Sequence, residues 1–156
     1  MAILNEEMKR MVSSLRLCYV ATVTEDGKPN LSPKGSLKVL DDEHVAFADI
    51  MSPVTMRNLR ANPHIEVNLV DPFLRRGYRF KGRCEIHQDG EVFDSVANEL
   101  WHREGRQYPV NAVVRIKVEL AAPVKSPAYV FNKGVTDEAV RKIWLERYGV
   151  QPLDKP

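Results

Sequence analysis

The chain has 156 residues, of which 44% are hydrophobic and 28% are charged, and its net charge is +2. This length and composition suit one globular domain with its own core, so residues 1–156 are predicted to form a single domain. The small net charge gives no sign of nucleic-acid binding, and no apolar run is long enough to cross a bilayer. The acidic N-terminal segment is unlike a signal peptide, and we therefore expect a cytoplasmic protein without a membrane partner.

The cysteines and histidines carry no recognisable metal or redox motif. Cys18 and Cys84 lie in separate apolar stretches and form no Cys-x-x-Cys pair, so two reduced core thiols are expected. The four histidines are scattered and none lies at helical i, i+4 spacing from another ligand. No metal site is predicted.

The first half of the chain predicts a helix, three strands and a second helix. The first helix starts after Asn5, which can cap it, and presents one apolar stripe. The Asp26-Gly27 step predicts a hairpin between the first two strands. Ser52 can cap the second helix, and Pro53 fits its first turn. The elements are a helix at 5–14, strands at 16–24, 30–39 (with Pro33 as the point where it can break) and 44–48, and a helix at 52–61.

The second half predicts three further strands and two helices. Residues 64–70 and 78–87 alternate between apolar and polar side chains, which is typical of half-buried strands. A longer helix begins at Asp89, and a last strand covers about 112–120. A loop with Pro123 and Pro127 leads to a C-terminal helix that begins at Thr136 and ends at Gly149.

About six strands joined mostly by hairpin-length turns, with helices at the edges, predict an α+β, mainly β, fold. Its antiparallel sheet is expected to close into a barrel. No strand, Gly-rich loop and helix follow one another, so a Rossmann or P-loop protein is not indicated. Residues 121–156 form a C-terminal extension that carries the last helix.

The start of the second predicted helix is the clearest candidate for an anion site. Free N–H groups at a helix N-terminus suit a phosphate, and the amides of Val54 and Thr55 would donate, aided by the Ser52 and Thr55 hydroxyls. Composition alone favours the competing interpretation, in which Ser52 caps those same amides. Arg79, Lys81 and Arg83 alternate on one strand face, and these three like charges are either a cation source for that anion or a solvated exterior.

Other candidates have weaker support from the residues themselves. Gly35 beside Lys34 indicates either a close approach of the backbone to a ligand or a plain turn. Trp101, Tyr108, Tyr129 and Phe131 could stack on a flat ring, although Trp101 fits a core position; Tyr108 and Tyr129 lie in predicted loops, where a functional role is more common. No spacing indicates a Ser/His/Asp, Cys/His or paired-carboxylate arrangement, so no catalytic residue is predicted.

Several segments, in a fixed order, resemble the pyridoxamine 5′-phosphate oxidase-like FMN-binding split barrels. They are residues 26–29, 32–42, 45–49, 55–63 and 80–83, and the likeness covers roughly residues 5–120. The resemblance implies an FMN-binding split β-barrel that works as a homodimer, with one FMN at each of two interface sites. The cofactor residues it implies are Ser32, Pro33, Lys34, Gly35, Ser36, Ala48, Asp49, Ser52, Val54, Thr55, Asn58, Arg79 and Lys81.

The resemblance also bears on the reaction. Pyridoxamine phosphate oxidases usually carry an Arg-Lys pair at the phosphate helix, where this chain has Val54-Thr55. Their basic C-terminal motif is also not found, so the vitamin B6 reaction is not expected. The family implies an FMN-dependent oxidoreductase with an unassigned small-molecule substrate. The alternatives are a non-enzymatic FMN storage or electron-carrier protein, or a barrel that binds deazaflavin or heme, with His64 or His87 as the heme ligand.

Overall fold

The computed structural model describes residues 3–152. These residues form five helices and seven strands. The helices are α1 (Glu6–Ser14), α2 (Pro53–Ala61), α3 (Gly90–Glu104), α4 (Ala128–Phe131) and α5 (Asp137–Tyr148). The strands are β1 (Cys18–Val23), β2 (Pro29–Lys34), β3 (Lys38–Val39), β4 (His44–Asp49), β5 (His64–Asp71), β6 (Arg76–His87) and β7 (Ala112–Lys125).

All seven strands belong to one antiparallel sheet with the order β2-β1-β5-β6-β7-β4-β3. Its two end strands, β2 and β3, follow each other in the chain and are separated only by residues 35–37. Four Cα–Cα steps span at most about 15 Å, so the two ends of the sheet lie close together and the sheet must curl. The predicted mainly β split barrel is confirmed.

The main core fills the inside of the curled sheet. The strands place alternate side chains inward, so Val20, Val67 and Phe80 are fully buried. Helix α1 covers this core with Met8 and Val12. A second, smaller cluster lies on the other face of β4, where Ala46 and Ala48 pack against Val96 and Leu100 of α3. Because β4 is buried on both faces, α3 is held over the strand that reaches the site described below.

Two proline positions differ from the prediction, for one physical reason. The strand expected at 30–39 breaks at residues 35–37, whereas Pro33 lies inside β2 opposite Tyr19. Strand β7 continues to Lys125, with Pro123 opposite Tyr78. Strand β2 ends the sheet, and β4 pairs with β7 only over Ala112–Lys117. Each proline therefore lies where its strand has a neighbour on one side only, and no second ladder needs its missing N–H.

Close packing of β6 against β7 depends on one glycine. The register shifts between Lys81 and Gly82, where Lys81 faces Leu120 and Gly82 faces Val118. Residue 119 is thus the extra residue of a β-bulge. A Cβ at Gly82 would lie 2.0 Å from the carbonyl oxygen of Lys117. Only glycine fits this position without separating the strands.

Candidate functional site

A cavity of about 760 Å³ lies at the junction of the two sheet ends. This volume is within the range of cofactor and small-molecule sites. Seven of the predicted cofactor residues line it: Ser32, Pro33, Lys34, Gly35, Ser36, Ala48 and Ser52. The structure therefore brings together the end of β2, the connection to β3, the end of β4 and the start of α2.

Lys34 supplies a buried cation to this cavity. Its side chain belongs to the inner face of β2, and the residue is only 8% exposed. Its Nζ donates to the Ser32 hydroxyl at 2.5 Å and to the Pro33 carbonyl at 3.2 Å, and lies 5.7 Å from the centre of the Phe47 ring. Burial lowers the pKa of Lys34, and attraction to the Asp49 carboxylate partly opposes this shift.

Ser36 fastens the connection between the end strands to β4. Its hydroxyl accepts a hydrogen bond from the Ala48 amide at 3.0 Å. The preceding residue, Gly35, packs so closely that an added Cβ would lie 3.3 Å from the Arg16 carbonyl oxygen. The chain at residues 35–36 thus runs tightly past its neighbours and exposes backbone to the cavity.

The start of α2 is not capped by Ser52. The Ser52 hydroxyl instead donates to the Asp49 carboxylate at 2.6 Å, and the Ser52 amide donates to the same oxygen at 3.1 Å. Within the described part of the chain, the Ser52 side chain makes no capping bond to α2. The capping interpretation that composition favoured is therefore wrong. The amides of Val54 and Thr55 lie in the first helical turn, which has no intrahelical acceptor for them.

Two predicted residues of α2 lie beneath the helix rather than along the cavity. Thr55 and Asn58 are 1% and 4% exposed. The Asn58 amide donates to the Thr22 hydroxyl at 3.0 Å, and the Asn30 amide donates to Thr22 at 3.1 Å and to Thr55 at 3.4 Å. This polar cluster holds α2 against β1 and β2. Val54 is 42% exposed at the helix start and also lies outside the cavity lining.

Arg79 and Lys81 lie away from the cavity of the same protomer, on the outer face of the sheet. Both pair with Glu66, at 2.7 Å from Arg79 Nε and 3.3 Å from Lys81 Nζ. The strand register places them on the face that also carries Tyr19 and Leu31. The structure thus separates the basic strand from the start of α2 within one chain.

Several lining residues were not predicted, because they come from distant parts of the sequence. Arg103 of α3 donates to the Gly35 carbonyl at 3.2 Å across 68 residues of chain, and its Nε lies 2.6 Å from Glu104. The other lining residues that were not predicted to hold the cofactor are Arg16, Ile50, Met51, Leu100 and Glu104.

Tyr108, one of the two predicted loop tyrosines, also lines the cavity. Its backbone carbonyl accepts a hydrogen bond from Trp101 Nε1 at 2.9 Å.

The remaining aromatic and histidine candidates lie elsewhere. The Tyr129 hydroxyl donates to the Leu74 carbonyl at 2.7 Å, far along the chain from the cavity. His64 lies 3.1 Å from Arg83, and His87 lies 3.5 Å from Glu85. Neither histidine lines the cavity.

The candidate nucleophiles of the lining are the Lys34 amine and the hydroxyls of Ser32, Ser36, Ser52 and Tyr108. Among residues 3–152, no cysteine or histidine lines the cavity and no group of three metal-ligating side chains occurs. Burial raises the pKa of the Cys18 thiol to about 12 and that of Cys84 to about 11, so both stay protonated at neutral pH. No helix in the described ranges is long and apolar enough to span a membrane.

The curled antiparallel sheet with a cavity where its ends meet places the chain among the split β-barrel proteins. Comparison with known proteins identifies its family. The sequence profile described as "Pyridoxamine 5'-phosphate oxidase" matches residues 4–131. The chain therefore belongs to the pyridoxamine 5′-phosphate oxidase family, as the resemblance predicted.

Individual relatives agree with this assignment. An uncharacterized protein of Methanocaldococcus jannaschii is 31% identical over 99 residues, which is 62% of this chain and only 64% of that protein. HupZ of Group A Streptococcus superposes with a TM-score of 0.70 at 33% identity, covering 78% of this chain and 94% of that one. An FMN-binding protein from Syntrophomonas wolfei gives a TM-score of 0.72 at 18% identity, covering 79% and 87%. At that identity the last likeness concerns the fold.

Proposed function

We propose that this chain is an FMN-dependent oxidoreductase acting on a small molecule. The observation that carries the proposal is the cavity at the sheet ends, which holds the buried Lys34 ammonium and is lined by Ser52, the residue before α2, whose side chain leaves the first-turn amides uncapped. Both features suit a flat, polar, anionic ligand, and the cavity has room for one. FMN would supply the electron transfer when bound, while the protein binds and orients it.

The residues divide into two proposed contact regions. Residues 32–36, with Ala48 and Asp49, form the wall against which the flavin ring would lie. Ser52, Val54 and Thr55 at the start of α2 would face the phosphate through backbone amides, with Asn58 holding the helix from below. Support for this division comes from the Ser52–Asp49 hydrogen bond, because it leaves the first-turn amides to an outside acceptor.

A homodimer belongs to the same proposal. The outer face of the sheet exposes an apolar patch made of Tyr19 and Val23 of β1 and Leu31 of β2, each at least 42% exposed. The charged side chains of Glu66, Arg79 and Lys81 border this patch on the same face. An exposed apolar patch with a polar rim marks an interaction surface. Two-fold pairing of this face would also bring Arg79 and Lys81 of each protomer to the interface, which supports their predicted role near the phosphate.

Light scattering coupled to gel filtration tests the dimer. The variant Leu31→Asp places a charge in the apolar patch and should shift the protein to a monomer. Phe131→Asp is the matched control, because Phe131 of α4 is 78% exposed but lies outside this patch. A Leu31→Asp protein of unchanged mass would show that the dimer, if any, uses another surface.

The absorbance spectrum of the purified protein and an FMN titration test the cofactor. Flavin bands, or saturable binding of added FMN, are expected. A Soret band or a deazaflavin spectrum would assign a different cofactor to the same barrel, and a colourless protein that ignores FMN would refute the proposal. Reduction of the bound flavin by NADH or NADPH then separates an enzyme from a storage or carrier protein.

Val54→Glu tests the phosphate position. The added carboxylate repels a phosphate at the start of α2, so FMN affinity should fall at least tenfold, or about 1.4 kcal/mol. The same charge favours the helix dipole, so the free energy of unfolding should not fall. Arg60→Gln is the control, since it lowers the net charge equally at the opposite end of α2. Unchanged affinity of Val54→Glu would move the phosphate elsewhere.

A further inference from the structure

Lys34 differs from the two other cations that line the cavity because its charge is both buried and without an ion-pair partner, whereas Arg16 is exposed and Arg103 is paired. None of the ion pairs among residues 3–152 involves Lys34. Its ammonium has three N–H donors, and two of them reach neutral oxygens, the Ser32 hydroxyl and the Pro33 carbonyl. The third donor has no acceptor within the described ranges. Arg103, by comparison, is paired with Glu104.

The surroundings compensate this buried charge only weakly. The Asp49 carboxylate, which attracts Lys34, is already bonded to the Ser52 amide and hydroxyl. The Phe47 ring, 5.7 Å away, adds a modest cation–π attraction. A buried cation with incomplete pairing costs free energy in the empty protein. Such an ammonium can stabilise negative charge on a bound ligand, whether the ligand carries that charge on arrival or acquires it in the cavity. The N–H groups are already held in place, so little reorganisation is needed.

Resting on the proposed function, we propose that Lys34 makes the cavity prefer reduced FMN over oxidised FMN. Two-electron reduction of the flavin ring with uptake of one proton leaves the ring with one additional negative charge. The ring is proposed to lie against residues 32–36, so that charge develops beside the only unpaired, buried ammonium of the wall. Lys34 is thus a positioning residue that raises the reduction potential of the bound cofactor.

The test compares the binding of the two redox forms to Lys34→Met. Dissociation constants are measured for oxidised FMN and, without oxygen, for FMN reduced by dithionite. Because Lys34 lies in the proposed flavin wall, affinity for oxidised FMN should itself fall. Affinity for reduced FMN should fall at least tenfold further, which corresponds to a midpoint potential about 30 mV more negative. Lys38→Met is the matched control, because Lys38 is paired with Glu99 at 2.7 Å outside the cavity.

The urea midpoint of the ligand-free proteins distinguishes this role from a purely structural role of Lys34, because the two roles predict opposite changes in that midpoint. Removing an incompletely paired buried cation should leave the urea midpoint unchanged or raise it. A lowered midpoint, in Lys34→Met and also in Lys34→Gln, would show that Lys34 supports the fold, and would overturn the inference.

The possible failures are distinguishable. If wild-type protein binds FMN but Lys34→Met keeps the wild-type ratio of the two dissociation constants, this inference is wrong and the proposed function stands. If the wild type binds neither form of FMN, the proposed function fails. Should Lys34→Met not fold, Lys34→Gln is measured in its place, because it keeps a neutral N–H donor and removes only the charge.

Discussion

The buried polar cluster beneath α2 leads to a quantitative prediction for Thr22→Val. The Thr22 hydroxyl accepts hydrogen bonds from the Asn58 amide at 3.0 Å and the Asn30 amide at 3.1 Å. Valine keeps the shape of threonine but leaves both donors without this acceptor. An unsatisfied buried group costs about 1–3 kcal/mol.

The two donors differ in what remains to them. Asn58 is 4% exposed and loses its partner outright, whereas Asn30 is half-buried and retains the Thr55 hydroxyl at 3.4 Å. We therefore expect Thr22→Val to lower the free energy of unfolding by about 2–4 kcal/mol, with Asn58 responsible for most of the loss.

Urea unfolding followed by circular dichroism measures this loss. Thr24→Val is the matched control, because its hydroxyl also bonds two residues in an exposed hairpin where water can replace them: it donates to the Asp26 carboxylate or the Lys28 carbonyl and accepts from the Lys28 amide. Its cost should stay below about 1 kcal/mol. A Thr22→Val protein within about 0.5 kcal/mol of the wild type, or no more affected than Thr24→Val, would refute the reasoning.

Three further predictions concern packing, thiol chemistry and the C-terminal extension. Gly82→Ala should lower stability by more than about 3 kcal/mol in thermal melts, because its Cβ would lie 2.0 Å from the Lys117 carbonyl oxygen. Native Cys18, with a pKa of about 12, should resist iodoacetamide at pH 8; its stabilising effect, complete below the ordinary pKa of 9.0, should decline as the pH rises towards 12. Trp144→Ala should speed proteolysis ahead of α5, because Arg75 stacks 4.0 Å from that ring.

Each of these predictions has a contradicting result. Gly82→Ala that melts like the wild type would mean that β6 and β7 can separate without cost. Alkylation of Cys18 in the native protein as fast as in urea would mean that the thiol is not buried. Cleavage ahead of α5 at the wild-type rate in Trp144→Ala would mean that other contacts dock this helix, such as the Arg76–Asp137 ion pair.

The sequence was sufficient for elements with a clear local period. Alternation placed strands at 64–70 and 78–87, close to the observed His64–Asp71 and Arg76–His87. The sequence was insufficient where the position of a proline depends on whether its strand has one neighbouring strand or two. Pro33 and Pro123 lie inside strands because each faces a single neighbour there, and sequence alone does not show which strands end a sheet. Helix α4 was not predicted at all.

The site shows the same division between local and distant information. The resemblance gathered residues 32–36 and Ala48, and the structure places them around one cavity. The sequence offered two uses for the Ser52 hydroxyl, accepting from the first amides of α2 or donating to a phosphate, and composition could not reveal that it donates to the Asp49 carboxylate. Arg103 was missed because the contact with Gly35 joins residues 68 positions apart. Within one protomer, Arg79 and Lys81 lie apart from the cavity. Only the proposed dimer would bring them near the cofactor.

The two ends of the sheet meet at residues 35–37, and Gly35 and Ser36 of this connection line the cavity. Under the proposed function, FMN held there would contact the connection that joins the two sheet ends. Its binding would stabilise the folded chain by about 2.7 kcal/mol at a ligand concentration one hundred times the dissociation constant. The FMN-free protein is then expected to be cleaved by proteases faster than the FMN-bound protein.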